Sequence, residues 1–202
     1  MEIYLVRHGI TDWNREKRLQ GWKGSVLSSE GLEQAAELAK RLSDLRVDAV
    51  FSSDLSRAVQ TAEILLEKNS WRVPLIKDSR LREINHGQWE GQSVFALDEL
   101  KNLPSVENFR PPGGESFGDV ARRALDFLDD LRGLEYENVV IVGHQVVNAV
   151  ISLLVAGYPP EHRVFGFLSA GMVASLGLLA NTRKNLCDTV QTNVQCTRLR
   201  LD

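Results

Sequence analysis

Short apolar runs alternate with amphipathic segments along the chain, and this alternation predicts its secondary structure. Four apolar runs have the length and composition of buried strands, at residues 1–6, 47–51, 71–76 and 139–142. Apolar residues recur at helical spacing in four other segments, at residues 32–42, 55–66, 117–131 and 147–154. Two late runs, 172–178 and 194–199, are interpreted as closing strands. Strands that alternate with helices are typical of a layered α/β domain.

The predicted architecture is a single α/β domain over residues 1–202, arranged as three α/β/α layers. Its sheet has about six mostly parallel strands, with helices on both faces. Residues 92–114 interrupt the alternation, since this segment is mixed in character, contains Pro104, Pro111 and Pro112, and ends in two glycines. We interpret this segment as an excursion from the sheet that forms a lid over a site.

Charge, hydropathy and cysteine content limit the expected partners, location and redox state of the chain. The net charge is −3, so the chain as a whole has no attraction to nucleic acid or to an anionic membrane. Because no run is as long as a transmembrane helix and no charged-then-apolar leader opens the chain, we expect a cytoplasmic protein. Cys187 and Cys196 are expected to be reduced thiols, with a late disulfide as the alternative. The sequence leaves a monomer and a homodimer open.

Polar residues that could bind an anion or take part in catalysis follow three of the predicted strands. Arg7 and His8 follow the first strand, Arg57 lies just after the second, and His144 follows the strand at 139–142. If these strands are parallel neighbours, their carboxyl ends place two arginines and two histidines around one crevice. The planar fork of arginine suits bidentate contact with phosphate oxygens. The pattern therefore predicts a phosphate site.

Each of these residues also has a purely structural explanation. An Arg-His pair is common in surface turns, Arg57 could form an ion pair on a helix surface, and His144 could be a core histidine. Glu83 would ordinarily be a solvated charge. The occurrence of these residues together, at three strand ends, favours the functional interpretation.

Five segments carry a pattern that is found in one known family. They are Arg7-His8-Gly9 with Thr11, Trp13-Asn14 and Gln20-Gly21-Trp22; Ser52-Ser53-Asp54-Leu55-Ser56-Arg57-Ala58; Leu81-Arg82-Glu83-Ile84 with Trp89-Glu90-Gly91; Gly113-Gly114-Glu115-Ser116; and Gly143-His144. In order and approximate spacing they resemble the signature of the histidine phosphatase superfamily, also called the phosphoglycerate mutase-like family.

The resemblance implies catalytic roles for three residues. His8 would be the nucleophile and would carry the phosphoryl group as phosphohistidine. Glu83 would protonate the leaving alcohol and then act as base for the incoming water. His144 would stabilise the transferring group, together with the phosphate ligands Arg7, Asn14 and Arg57.

These roles make demands on protonation. His8 must attack as neutral imidazole, whereas His144 would help most as a cation, so their titrations would have to differ. Glu83 must be protonated in the first step, which predicts a raised pKa and a mildly acidic to neutral optimum.

The resemblance also indicates where a substrate pocket would lie. The candidates for its lining are Thr11, Gln20, Gly21, Lys23, Ser25, His86 and Gln145. Gln145 replaces a glycine that is common in relatives, Lys23-Gly24-Ser25 stands where relatives often have an acidic residue after Gly-Trp, and His86 replaces an aromatic residue. No metal-ligand spacing, nucleotide-binding glycine motif or cysteine phosphatase loop is present, so we expect no metal and no cofactor.

The expected activity is metal-independent hydrolysis of a small phosphomonoester through phosphohistidine. The alternatives are phosphoglycerate mutase-type transfer, a non-catalytic phospho-ligand-binding module and a protein phosphatase. A mutase needs further cations to hold a second phosphate, but Lys101 and Arg110 are the only basic residues in the interval before Gly113 that corresponds to the lid. The family implies phosphoglycerate, phosphoserine, sugar phosphates and a ribazole phosphate as candidate substrates, and the sequence does not select among them.

Overall fold

A computed structural model describes residues 1–97, 110–159 and 196–202. The described residues form one five-stranded sheet, whose strands are β1 (Glu2–Arg7), β2 (Ala49–Ser52), β3 (Leu75–Lys77), β4 (Asn138–Gly143) and β5 (Cys196–Arg200). The strand order is β3-β2-β4-β1-β5. The first four strands are mutually parallel, and β5 pairs antiparallel with β1 at the edge. The prediction of a mostly parallel sheet is confirmed.

Helices cover both faces of this sheet. They are α1 (Asp12–Arg15), α2 (Ser29–Arg41), α3 (Ser56–Asn69), α4 (Phe117–Arg132) and α5 (Gln145–Val155), with single 3₁₀ turns at Ser79–Leu81, Gly87–Trp89 and Val94–Ala96. Successive strand residues point to opposite faces, so Leu5 packs with α4 and α5 while Val6 packs with α2 and α3. The α/β/α layering predicted from the sequence is therefore confirmed.

Three structural predictions fall wholly or partly on undescribed residues. Of the closing strand predicted at 194–199, residues 196–199 are described and lie in β5. The closing strand predicted at 172–178 lies outside the described residues. The central part of the predicted lid, residues 98–109, also lies outside them. Of its described flanks, Val94 is fully buried while Phe95 is exposed. The lid interpretation stays a prediction. No described helix is long and apolar enough to cross a membrane.

The register of the parallel strands brings the three sequence motifs together. Arg7 at the end of β1 lies opposite Gly143 at the end of β4. The backbone N–H of His8 donates to the Gly143 carbonyl at 3.1 Å, and that of Ser53 donates to the Val142 carbonyl at 2.9 Å. The strand ends are thus hydrogen-bonded neighbours, which places the side chains that follow them at one edge of the sheet.

The loop after His8 is held against the start of α2. Ser28 is the N-cap of α2, and its hydroxyl accepts from the Gly31 N–H at 3.2 Å and donates to the Ile10 carbonyl at 3.0 Å. A Cβ on Gly31 would lie only 2.1 Å from the Ile10 oxygen. Glycine at this position therefore allows the helix to approach the loop that carries the site.

Replacement of Gly31 by alanine is expected to destabilise the fold by about 1–3 kcal/mol, the usual penalty of overpacking. The matched control is Gly118→Ala in α4, where the nearest described atom to a new Cβ is the Ser116 hydroxyl at 3.7 Å. There alanine is expected to stabilise by about 0.5–1 kcal/mol through helix propensity. Urea denaturation measures both effects, and stabilisation by Gly31→Ala would contradict the close approach.

Candidate active site

A small cleft, with a cavity volume of about 70 Å³, lies at the carboxyl ends of the parallel strands. It is lined by Arg7, His8, Asn14, Arg18, Leu19, Gln20, Gly21, Arg57, Glu83, His86 and Gln145. His144 lies directly behind His8, with their ring centroids 5.0 Å apart. The structure therefore brings together the residues that the sequence places at three strand ends, and adds Glu83 from the segment that follows β3.

The hydrogen bonds of His8 determine its tautomer. Its Nδ1 lies 2.6 Å from the carbonyl oxygen of Gly9, which can only accept, so Nδ1 carries the proton. Its Nε2 lies 3.2 Å from the Nε–H of Arg57, which can only donate, so Nε2 keeps its lone pair. The imidazole is thus neutral, and its unprotonated nitrogen is the one beside the Arg57 guanidinium.

Burial and positive charge keep both site histidines neutral. Burial, followed by the charges of Arg57 and Arg7, lowers the pKa of His8 well below its usual value. Burial and the charge of Arg57 lower the pKa of His144 well below its usual value too. His144 lies in the field of the same arginines, so its protonation needs an added negative charge in the cleft. Neither His144 ring nitrogen has a hydrogen-bond partner among the described residues.

Arg57 is a buried cation held by backbone carbonyls. It is only 2 % exposed. Its Nη2 donates to the Gly21 carbonyl at 2.8 Å and its Nη1 to the Lys23 carbonyl at 3.0 Å. Burial lowers the pKa of Arg57 to about 10, against the opposing charges of Glu83 and Glu90. The guanidinium therefore remains charged at neutral pH while two carbonyls fix its plane.

Glu83 lies in the cleft wall with its carboxylate at the start of α5. Its Oε1 accepts from its neighbour Ile84 N–H at 3.0 Å and from the Val146 N–H at 3.1 Å. Burial raises the pKa of Glu83, while these N–H donors and the charges of Arg57 and Arg7 oppose that shift. The direction predicted for a general acid is the one found.

Sequence reasoning assigned no role to two residues that support Glu83, although one of them, Glu115, lies in a motif noted above. Arg123 in α4 donates to the carbonyls of Arg80, Arg82 and Glu83 at 2.6, 2.7 and 3.1 Å. Glu115 in turn accepts from Arg123 Nε at 2.9 Å. Glu115 lies just before the N-cap of α4, so helical spacing does not relate it to Arg123, and no sequence signal links the two. Together they hold the segment that carries the acid.

The pocket candidates fall into two groups. Gln20, Gly21, His86 and Gln145 line the cleft. Burial and the charge of Arg57 lower the pKa of His86 to about 4. Thr11 is instead a buried N-cap of α1, and the N–H and hydroxyl groups of Thr11 donate to Oδ1 of Asn14, each at 3.0 Å.

Lys23 and Ser25 are not among the residues that line the cleft. Lys23 is exposed and contributes its carbonyl oxygen to Arg57. The Ser25 hydroxyl is buried without a hydrogen-bond partner among the described residues. Arg18 and Leu19 line the cleft although no sequence signal singled them out.

Cysteine and metal predictions are tested only in part. Cys196 is a half-buried free thiol, and Cys187 lies outside the described residues. Within residues 1–97, 110–159 and 196–202, no group of three or more histidine, cysteine or acidic side chains is placed to hold a metal ion. Cofactor independence stays a prediction.

Comparison with known proteins agrees with this geometry. A family model of the histidine phosphatase superfamily (branch 1) matches residues 3–175. The Erwinia tasmaniensis protein named "Probable phosphoglycerate mutase GpmB" is 36% identical over 166 residues, which are 79% of this chain and 76% of that protein. Among solved structures, the α-ribazole phosphatase from Shigella flexneri matches with a TM-score of 0.71 and 29% identity, over 80% of this chain and 82% of that one.

A mycobacterial glucosyl-3-phosphoglycerate phosphatase, solved with VO3, matches with a TM-score of 0.72 and 31% identity, over 82% of this chain and 86% of that one. The relatives thus include a protein named as a probable mutase, and solved structures named as phosphatases that share this architecture. The chain belongs to the histidine phosphatase superfamily, branch 1.

Proposed function

We propose that this protein hydrolyses small phosphomonoesters through a phosphohistidine on His8, without a metal ion. The observation that carries the proposal is the state of His8, whose neutral ring keeps the Nε2 lone pair in a cleft that also holds Arg7 and Arg57. A carboxyl group with a raised pKa, that of Glu83, lies in the same cleft. Nucleophile, cationic clamp and acid are the three parts that this chemistry needs.

In the first step, His8 Nε2 attacks phosphorus and the bond from phosphorus to the ester oxygen breaks. The Glu83 carboxyl gives its proton to that oxygen, so the leaving group departs as a neutral alcohol. Arg7 and Arg57 bind the equatorial oxygens, where charge spreads in the transition state. Before this attack, the Arg57 Nε–H exchanges its hydrogen bond to Nε2 for one to a phosphate oxygen, and this releases the Nε2 lone pair.

In the second step, water attacks the phosphohistidine and the phosphorus–nitrogen bond breaks. The Glu83 carboxylate accepts the proton of the water, and inorganic phosphate leaves with His8 neutral again. His144 contributes by binding the phosphate. Its buried ring, which has no hydrogen-bond partner among the described residues, gains an acceptor when a phosphate dianion arrives, and the added negative charge raises its pKa so that it takes up a proton.

Phosphoryl transfer between two positions of a phosphoglycerate-like acid is the second candidate. It is favoured by the similarity to the protein named GpmB and by the presence of Arg18 on the cleft wall, although Arg18 is itself paired with Glu16 at 2.6 Å and donates to the Gly91 carbonyl at 3.1 Å. Against it, Arg110 of the predicted lid is engaged on the surface, where its Nη2 lies 2.5 Å from Asp119. Lys101 lies outside the described residues. Hydrolysis is the better-supported reaction.

The test uses the wild-type protein with EDTA near pH 6. Release of inorganic phosphate is measured from p-nitrophenyl phosphate and from 3-phosphoglycerate, and ³¹P NMR follows any conversion to 2-phosphoglycerate with 2,3-bisphosphoglycerate present. We expect phosphate release that persists in EDTA and exceeds isomerisation. Isomerisation faster than release would assign a mutase. Phosphate binding without either reaction would assign a binding module, and activity abolished by EDTA and restored by a divalent metal would refute the metal-independent scheme.

A further inference from the structure

Glu90 lies beneath the turn at residues 21–23 and binds its backbone N–H groups. Its Oε1 accepts from the N–H of Trp22 at 2.7 Å, and its Oε2 accepts from the N–H of Lys23 at 3.1 Å. Oε1 also accepts from the N–H of His86 at 3.2 Å. A carboxylate can accept several such bonds at once, since it has two oxygens and no donor. One side chain thus determines the shape of this turn.

The opposite side of the same turn binds the phosphate-site arginine. The carbonyls of Gly21 and Lys23 accept from the two terminal nitrogens of Arg57, at 2.8 and 3.0 Å. The remaining nitrogen of that guanidinium, Nε, lies 3.2 Å from His8 Nε2. A continuous series of hydrogen bonds therefore runs from Glu90 through the turn to Arg57 and the nucleophile.

The conformation of Gly21 shows how closely this turn fits Glu90. Its φ is +52°, in the left-handed region that favours glycine. A Cβ at this position would lie 2.0 Å from Glu90 Oε1. The turn also holds the acid segment, because the indole N–H of Trp22 donates to the Glu83 carbonyl at 2.8 Å.

We propose that Glu90 is a positioning residue for phosphoryl transfer. By binding the N–H groups of the turn, its carboxylate fixes the two carbonyls that orient Arg57 toward His8 Nε2 and the transferring group. The effect on turnover rests on the proposed function, whereas the effect on the orientation of Arg57 does not. Fixing a charged group through its supporting hydrogen bonds is a general requirement of such sites.

The sharpest variant is Glu90→Gln, which keeps the size of the side chain but turns one acceptor into a donor. The matched control is Glu63→Gln, an exposed position on α3. We expect Glu90→Gln to lower kcat for p-nitrophenyl phosphate and the affinity for inorganic phosphate by about 10- to 100-fold, as expected when hydrogen bonds that support a charged group are lost. Glu63→Gln is expected to match wild type.

A direct readout is the ¹⁵N NMR signal of the Arg57 Nε–H, assigned by its disappearance in Arg57→Lys. In wild type the bond to His8 and the burial of Arg57 should keep this signal sharp and slow to exchange. In Glu90→Gln it should broaden or exchange rapidly at temperatures where the variant is fully folded. Glu90→Asp, which keeps the charge, should give an intermediate result and remains informative if Glu90→Gln does not fold.

The outcomes separate this inference from the proposed function. A Glu90→Gln or Glu90→Asp variant that loses only thermal stability, with the Arg57 signal and phosphate affinity of wild type, would overturn the positioning role. If wild type neither binds phosphate nor turns over substrate, the proposed function fails. The Arg57 signal in the Glu90 variants would still decide whether Glu90 positions the guanidinium.

Discussion

Replacing His8 with alanine should reduce kcat for phosphomonoester hydrolysis by roughly 10³-fold or more, the scale seen when a covalent nucleophile is removed. The reason is specific to this ring, because Nδ1 donates to the Gly9 carbonyl and Nε2 carries the only ring-nitrogen lone pair, which becomes available when the Arg57 Nε–H bonds to phosphate. Phosphate release gives the rate. Alkaline quenching during turnover of ³²P-labelled p-nitrophenyl phosphate should trap an alkali-stable, acid-labile phosphoenzyme in wild type and none in the variant.

Loss of the buried ring also leaves two polar groups without a partner, the Gly9 carbonyl and the Arg57 Nε–H, so stability must be measured alongside activity. His8→Asn is the companion variant, since its amide can bond to one of these groups but cannot form a phosphohistidine. Both variants should bind inorganic phosphate when folded, because Arg7 and Arg57 remain. Equal turnover by wild type and either variant would remove His8 from the mechanism.

The sequence predicts the positions of the motif residues well because strand ends obey simple geometry. Arg7 and His144 follow apolar runs, and parallel pairing of β1 with β4 brings those ends into register. Their convergence needs no knowledge of side-chain conformation. Glu83 is different, since it follows no predicted strand end. Its identification depended on the family resemblance, and its contact with the Val146 N–H appears only in the folded chain.

The sequence could not show which residues act in the site through backbone groups rather than through side chains. Lys23 was a candidate for the pocket lining, yet its carbonyl accepts from Arg57 and its N–H donates to Glu90. The charge state of His144 was also inaccessible, because it depends on the summed effects of burial and of Arg57. Such properties arise from three-dimensional proximity between residues far apart in the chain, which spacing alone does not encode.

Glu83→Gln should lower kcat by about 10²- to 10⁴-fold for an alkyl phosphate, the usual contribution of a general acid. The fold should survive, because the amide oxygen of glutamine can still accept from Ile84 and Val146. With p-nitrophenyl phosphate, whose leaving group needs little protonation, formation of phosphohistidine should remain fast while its hydrolysis slows. The variant should therefore release about one equivalent of p-nitrophenol in a burst, followed by a slow steady state.

The dependence on pH should change sign with the leaving group, because Glu83 acts as acid in one step and as base in the other. For an alkyl phosphate the first step limits the rate, so wild-type kcat should fall as pH rises through the raised pKa of Glu83 and the acid loses its proton. For p-nitrophenyl phosphate the second step limits, so kcat should fall as pH drops through that pKa and the base is protonated. Both limbs should vanish in Glu83→Gln and persist in Glu63→Gln. A pH profile that is flat from pH 5 to 9 for both substrates in wild type would remove Glu83 from the proton transfers.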